Sequence, residues 1–255
     1  MDTAVNWDSK AADYQEVFKR CGSNEYNKKL MSFFIEDLAL KPGDSVIDIG
    51  CGVGKYGTML AALGFDVALS DISPEMLRLA KENMAPLPGK HSFLCCDFNF
   101  VSLSEPVLSA GYKLAMSTMS PAIHDENTLK KFSALSRDWC FLSNFCDWQQ
   151  PMRDEFYKLS GLQEKHRMNV ELMNERLALC HDTIRKLGYE PFTKLVDYSW
   201  TDLRSPEEAA KRFAPEDCSE DEFSRILEIV KSLCGEKGDF ADTVNTRVTW
   251  TYWRV

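Results

Sequence analysis

The chain has 255 residues, 44% hydrophobic and 27% charged, values that suit a folded protein with a substantial core and exclude a disordered or fibrous one. Its net charge of -9 argues against a nucleic-acid partner, because a protein that tracks phosphates needs a basic surface. No apolar run reaches the roughly 18 residues that cross a bilayer. The start, MDTAVNWDSKAADYQ, carries early acids in place of a basic region followed by an apolar one, so the chain reads as cytoplasmic with no membrane association.

In chain order, residues 7–39 read as helical, with Asp8 or Ser9 as the starting cap and Leu30, Phe33, Phe34 and Leu38 at helical spacing. Lys41-Pro42-Gly43-Asp44 breaks that helix. Residues 45–49 (SVIDI) read as a buried strand, followed by a glycine-rich turn and an apolar helix ending near Leu63-Gly64. The cycle repeats with a strand at 66–70, a helix at 74–84, and strands at 91–96, 112–117 and 139–144. Such alternation implies parallel strands joined by right-handed crossovers. Val170, Met173, Leu177, Cys180, Ile184 and Leu187 step by three and four, a helix that Gly188 stops. Residues 192–198 and 247–255 complete seven strands, the last alternating like an antiparallel partner. Between them, Ser205-Pro206-Glu207-Glu208 and Ser219-Glu220-Asp221-Glu222 start two helices in an acidic insertion, 203–238. The face Phe223, Ile226, Leu227, Val230 and Leu233 is expected to pack onto the sheet.

The nine cysteines are an odd number with no CxxC pair, Cys95 and Cys96 being adjacent and Cys140 and Cys146 six apart. They read as reduced thiols, with no metal site.

The chemistry concentrates in Val46-Ile47-Asp48-Ile49-Gly50-Cys51-Gly52-Val53-Gly54. After a strand of an open α/β sheet, glycines let the backbone turn tightly and approach a ligand where the next helix starts. Gly52-Val53-Gly54-Lys55-Tyr56-Gly57 formally matches the dinucleotide fingerprint GxGxxG. Three features argue against a nicotinamide cofactor. Asp48 would oppose a pyrophosphate and suit an ammonium. The turn starts at Gly50, so the formal match begins two residues late, and the chain ends on a candidate antiparallel strand.

DIGCGVG resembles motif I of the class I S-adenosylmethionine-dependent methyltransferases, strongly over residues 40–145 and loosely over the rest. The resemblance implies an α/β, Rossmann-like seven-stranded sheet, mostly parallel with the last strand antiparallel and helices on both faces. It reads as a single domain: a helical lid (1–39), a cofactor core (40–147), a helical substrate cap and helix (148–187) and carboxyl-terminal strands with the helical insertion (188–255). It also implies S-adenosylmethionine as cofactor and S-adenosylhomocysteine as product. Asp48, Gly50, Cys51, Gly52 and Gly54 then form the cofactor turn. Asp71, 17 residues after Gly54, resembles the acid that accepts from both ribose hydroxyls. Asp97 would accept from the adenine amino group while Phe98 covers one face of the ring and Ile72 and Met76 the other.

Ser117, Thr118 and Met119, at the end of the fourth strand, would touch the methionine end, and Tyr14 would donate to its carboxylate. Ser120-Pro121-Ala122-Ile123 resembles in part the asparagine-proline-proline-aromatic motif of amino-group methyltransferases, lacking the second proline and the aromatic residue. His124 is a candidate general base, or a surface histidine capping the next helix beside Asp125. Trp7, Trp148, Arg153 and Tyr157 are candidate acceptor contacts. The expected partner is a small-molecule acceptor and the expected state a monomer or homodimer. The alternatives are an N-methyltransferase on a macromolecular amide or base, and a catalytically silent S-adenosylmethionine-binding module.

Overall fold

The computed structural model describes residues 4–21, 24–164 and 169–255. Its first half runs α1 (Ala4–Asp8), α2 (Ala11–Cys21), α3 (Glu25–Ser32), a π-helical turn (Phe33–Asp37), β1 (Ser45–Ile49), α4 (Lys55–Ala62), β2 (Asp66–Asp71), α5 (Pro74–Met84), β3 (His91–Cys95) and β4 (Tyr112–Thr118). There follow α6 (Glu126–Ser133), β5 (Ser136–Gln149), α7 (Pro151–Ser160), α8 (Val170–Lys186), β6 (Phe192–Arg204), α9 (Pro206–Phe213), α10 (Glu220–Ser232) and β7 (Phe240–Arg254). No helix among the described residues is long and apolar enough to cross a membrane.

The strands lie in the order β3-β2-β1-β4-β5-β7-β6. The first five pair in parallel, with Ile47 opposite Ala68 on one side and Ala115 on the other. Strand β7 runs against its neighbours: Val255 N donates to Asp138 O at 2.9 Å, and Phe192 stacks on Tyr252, so numbers fall along β7 as they rise along β5 and β6. This is the mostly parallel seven-stranded sheet that the alternating pattern implied.

The chain divides into two compact units. One runs to Asn144 and takes in Asn174–Lys194 and Thr249–Val255; the other comprises Phe145–Met173 and Leu195–Val248. In the first, successive residues of β5 point to opposite faces of the sheet. Cys140 and Leu142 bury with Leu129 and Phe132 of α6 and Ile184 of α8, whereas Phe141 packs edge-on against Phe34 at 4.9 Å, beside Phe33 and Trp250. Apolar strands covered on both faces explain why β1 carries so little polarity, and why its one acid stands out. In the second unit, Phe156 of α7, Ala209 and Ala210 of α9, Ile226 and Val230 of α10 and Phe240 of β7 bury together.

Several local expectations change. The stretch 7–39 is interrupted, not one helix, and neither Asp8 nor Ser9 caps it. Asp8 ends α1, and its Oδ1 accepts from Ser73 Oγ at 2.5 Å and Glu75 N at 3.1 Å, so it satisfies the open amino terminus of α5. Ser9 Oγ donates to Asn6 O at 2.8 Å. Strands β5, β6 and β7 are 14, 13 and 15 residues long and overrun their expected ends. The apolar face of α10 buries mainly against α7 and α9, with Phe240 as the strand's contribution. Residues 165–168 of the expected cap lie outside the described residues.

Candidate active site

Strand β1 lies between β2 and β4, where the strand order reverses, and a crevice at the carboxyl ends of such strands is where open α/β sheets bind ligands. A cavity of about 590 Å³ opens there, and every residue lining it belongs to the first unit. That volume lies within the roughly 300–1,000 Å³ of small-molecule sites.

The turn from β1 to α4 forms one wall. Gly50, Gly52 and Gly54 are all left-handed, at φ 74°, 55° and 80°. At Gly50 a second constraint applies: a Cβ there would sit 1.9 Å from Ser120 Oγ, so only glycine lets the segment after β4 close on the turn. Gly50 N and Cys51 N both donate to Ser70 O, at 2.7 and 3.1 Å, which ties the turn to the end of β2.

Two acids lie beneath this wall. Asp71 lines the cavity; its Oδ2 accepts from Gly52 N at 2.8 Å and its Oδ1 from Ser73 N at 3.0 Å. Burial raises its carboxyl above the usual range against the lowering effect of those backbone N–H groups. The N–H of Ile72 adds to that lowering effect, and the carboxylate keeps acceptor capacity for a ligand hydroxyl. Asp48 is 1% exposed, and neither of its oxygens has a hydrogen-bond partner among the described residues. Burial, and then the charge of Asp71, push it up to about 8. Burial also raises the Cys51 thiol well above its ordinary value.

On the far side of the turn, Trp7 and Tyr14 line the cavity with their rings edge to face at 6.2 Å. Burial, and then Asp71, raise the Tyr14 hydroxyl above its ordinary value. Ile72, buried Met76, Asp97 and buried Phe98 line it too. Asp97 Oδ1 accepts from both Asn99 N and Asn99 Nδ2 at 2.9 Å, which fixes the carboxylate at the end of β3.

The segment after β4 closes the other end. Met119 is left-handed at φ 53°, a strained conformation for a residue with a side chain, and its N donates to Ser143 O at 2.9 Å. His124 lines the cavity, with Nδ1 3.2 Å from Pro121 O and Nε2 3.8 Å from Asp125 Oδ2. A carbonyl can only accept, so this contact suits the tautomer that carries its proton on Nδ1 and leaves Nε2 as an acceptor. The helix cap is Asp125, in a capping box with Thr128 that holds its carboxyl below the usual range.

Of the residues singled out in the sequence, Trp7, Tyr14, Gly50, Gly52, Asp71, Ile72, Met76, Asp97, Phe98, Met119 and His124 all line this one cavity. Asp48, Cys51, Gly54, Ser117 and Thr118 do not line it. Gly54 packs toward Ala80, and Ser117 Oγ donates to Ile49 O at 2.7 Å, pinning β4 to β1. Trp148, Arg153 and Tyr157 belong to the second unit, where Trp148 Nε1 donates to Gln150 Oε1 at 2.9 Å. Arg153 pairs with Glu164 at 2.8 Å, and Tyr157 packs edge-on against Phe213. Sequence reasoning missed Asn99, Phe100, Asn127 and Arg176 among the lining residues. Asn99 and Phe100 follow directly on Asp97 and could have been found by continuing past the strand end; Arg176 sits on a helix read only for its apolar positions.

Comparison with known proteins agrees with this geometry. Residues 46–137 match the family model described as a methyltransferase domain. Magnesium-protoporphyrin O-methyltransferase of Rhodobacter capsulatus is 32% identical over 114 residues, 44% of this chain and 47% of that protein. The 23S rRNA (uracil(1939)-C(5))-methyltransferase RlmD of Shewanella sp. (strain ANA-3) is 38% identical over 61 residues, 24% of this chain and 14% of that one. The chain thus spans less than half the length of either relative. Phosphoethanolamine N-methyltransferase 2 of Haemonchus contortus, solved with S-adenosyl-L-methionine, shares the fold at 15% identity and a TM-score of 0.51, over 97% of this chain and 57% of that one. Over residues 46–137 the chain therefore matches a methyltransferase domain, and its sheet has the Rossmann-like fold of the class I, S-adenosylmethionine-dependent methyltransferases.

Proposed function

We propose that the cavity binds S-adenosylmethionine and that the chain transfers its methyl group to a small-molecule acceptor. The observation that carries this reading is the convergence of the left-handed Gly50–Gly52 turn, Asp71 and Asp97 on one cavity at the reversal of strand order. The residues fit the cofactor. Asp71 would accept from the ribose hydroxyls and Asp97 from the adenine amino group, while Phe98 would cover one face of the ring and Ile72 and Met76 the other. Asp48, next to Ile49 in β1, keeps a buried carboxyl with no internal partner; it holds its proton up to about 8, and the ammonium of an amino-acid ligand would draw it toward the charged form. Trp7 and Tyr14 exclude water from above.

When bound, the cofactor supplies a methyl group whose leaving group is a neutral thioether, so alignment provides much of the acceleration. His124 Nε2 is the group placed to take a proton from an acceptor that has one to lose. A small acceptor is favoured because the cavity's volume of about 590 Å³ is that of a small-molecule site and the chain's net charge of -9 offers no extended basic track for a nucleic-acid backbone.

Calorimetric titration tests the reading. S-adenosylhomocysteine is expected to bind and nicotinamide dinucleotides are not; the reverse result would remove the cofactor assignment and the reaction with it.

A further inference from the structure

Arg176 lies on α8 and lines the cavity. It is exposed and makes no hydrogen bond or ion pair among the described residues. Among the described residues lining the cavity it is the one permanent cation; the formal charges opposite it are Asp71, Asp97 and Asp125. Those acids are already engaged: Asp71 with Gly52 and Ser73, Asp97 with Asn99, Asp125 with the start of α6. None lies within ion-pair distance of the guanidinium.

A guanidinium is a flat fork of five donors with no acceptor, and its geometry matches a carboxylate or phosphate in two parallel hydrogen bonds. If the methyl-transfer reading above is right, on which this inference rests, the cavity also receives a sulfonium. Asp71, Asp97 and Asp125 offset that charge across the cavity, but none of them meets the guanidinium's donors, which stay open for an anionic group of a ligand. Asn99 and Asn127 line the same cavity and add neutral donors for such a group.

We propose that Arg176 reads a carboxylate or phosphate on the methyl acceptor, so that the substrate class is a small organic anion. The arginine is a specificity-determining residue; the transferred methyl and the proton that leaves the acceptor are handled elsewhere in the cavity. The cofactor has a carboxylate of its own, so the experiment must tell the two sources apart.

A small-molecule cell extract is separated by ion exchange into anionic, neutral and cationic fractions, and each is incubated with the protein and methyl-labelled S-adenosylmethionine. The anionic fraction is expected to support label transfer. Arg176→Ala should lower transfer at limiting acceptor by roughly tenfold or more, the loss appearing in KM, with Arg176→Lys recovering part of it. S-adenosylhomocysteine affinity should stay unchanged in both variants. Transfer from the neutral or cationic fraction alone overturns the inference and leaves the methyl-transfer reading standing. So does a loss of S-adenosylhomocysteine affinity in Arg176→Ala as large as the loss of transfer, which would assign the guanidinium to the cofactor. A parent protein that binds no S-adenosylhomocysteine, or that labels no fraction, overturns the methyl-transfer reading and this inference together.

Discussion

The side chains that line the cavity are held by different means. The groups at the carboxyl ends of β1, β2 and β3 are held in place before any ligand arrives: Asp71 by two backbone N–H groups, Asp97 by Asn99, the turn by Ser70. The groups that face it from beyond β3 and from α8 are loosely held. Phe100 is 81% exposed and Arg176 makes no polar contact among the described residues. A constant ligand rewards a rigid mould, because organisation completed during folding need not be repeated on binding. A variable ligand is read by exposed side chains that can be exchanged without harm to the fold.

The sharpest way to break this contrast is at the turn. Gly50→Ala places a Cβ against Ser120 in a left-handed conformation, so it should abolish S-adenosylhomocysteine binding and cost roughly 2–4 kcal/mol in urea unfolding. A variant that folds and binds like the parent would show that the close approach of Ser120 is dispensable.

Asp48 gives an effect of similar size with a pH signature. Its carboxyl sits at about 8 in the fold against an ordinary 3.8, so the native state keeps a proton that the unfolded chain has released. Stability from this site is fully present below pH 3.8 and is lost as pH rises to about 8, with no further loss above. Asp48→Asn removes that dependence. Its advantage over the parent in thermal unfolding should grow between pH 5 and 8 by about 3 kcal/mol, while its affinity for S-adenosylmethionine falls. Parallel stability curves for the two proteins would rule the proton out.

Smaller still, Asp71→Ala should weaken S-adenosylhomocysteine binding by roughly 1.5–3 kcal/mol while the protein remains folded, read by calorimetry and circular dichroism. Among the loosely held side chains, Phe100→Ser should change stability by less than about 0.5 kcal/mol, since an exposed ring has little burial to lose. A larger loss would mean that this ring is as firmly held as the acids.

The same contrast explains what could be read from the residues alone. Strands β1, β2 and β4 are short apolar runs, the first two closed by Gly50 and Asp71, and the chain has few other ways to bury them. Ser205 and Ser219 announce α9 and α10, because a cap works through a fixed spacing to the backbone N–H it satisfies. Asp8 misled because its carboxylate caps a helix 65 residues away, and no local spacing records such a partner. Arg176 was invisible for a related reason: an exposed charge on an amphipathic helix is the common pattern, and only folding shows that its turn of α8 faces the cavity. Trp148, Arg153 and Tyr157 were chosen for residue type and for falling after the fifth strand. Each finds partners within the second unit, in Gln150, Glu164 and Phe213.

The bond between Asp8 and α5 has a consequence for the order of events during synthesis. The ribosome delivers the chain from its amino terminus, so α1 emerges well before Ser73 and Glu75 exist to receive its carboxylate. Until β1 and β2 have formed and α5 has followed them, Trp7 and Tyr14 have no cavity to cover and the leading segment has nothing to dock on. The segment that carries Asp8, made before β1, therefore settles only after α5 has formed.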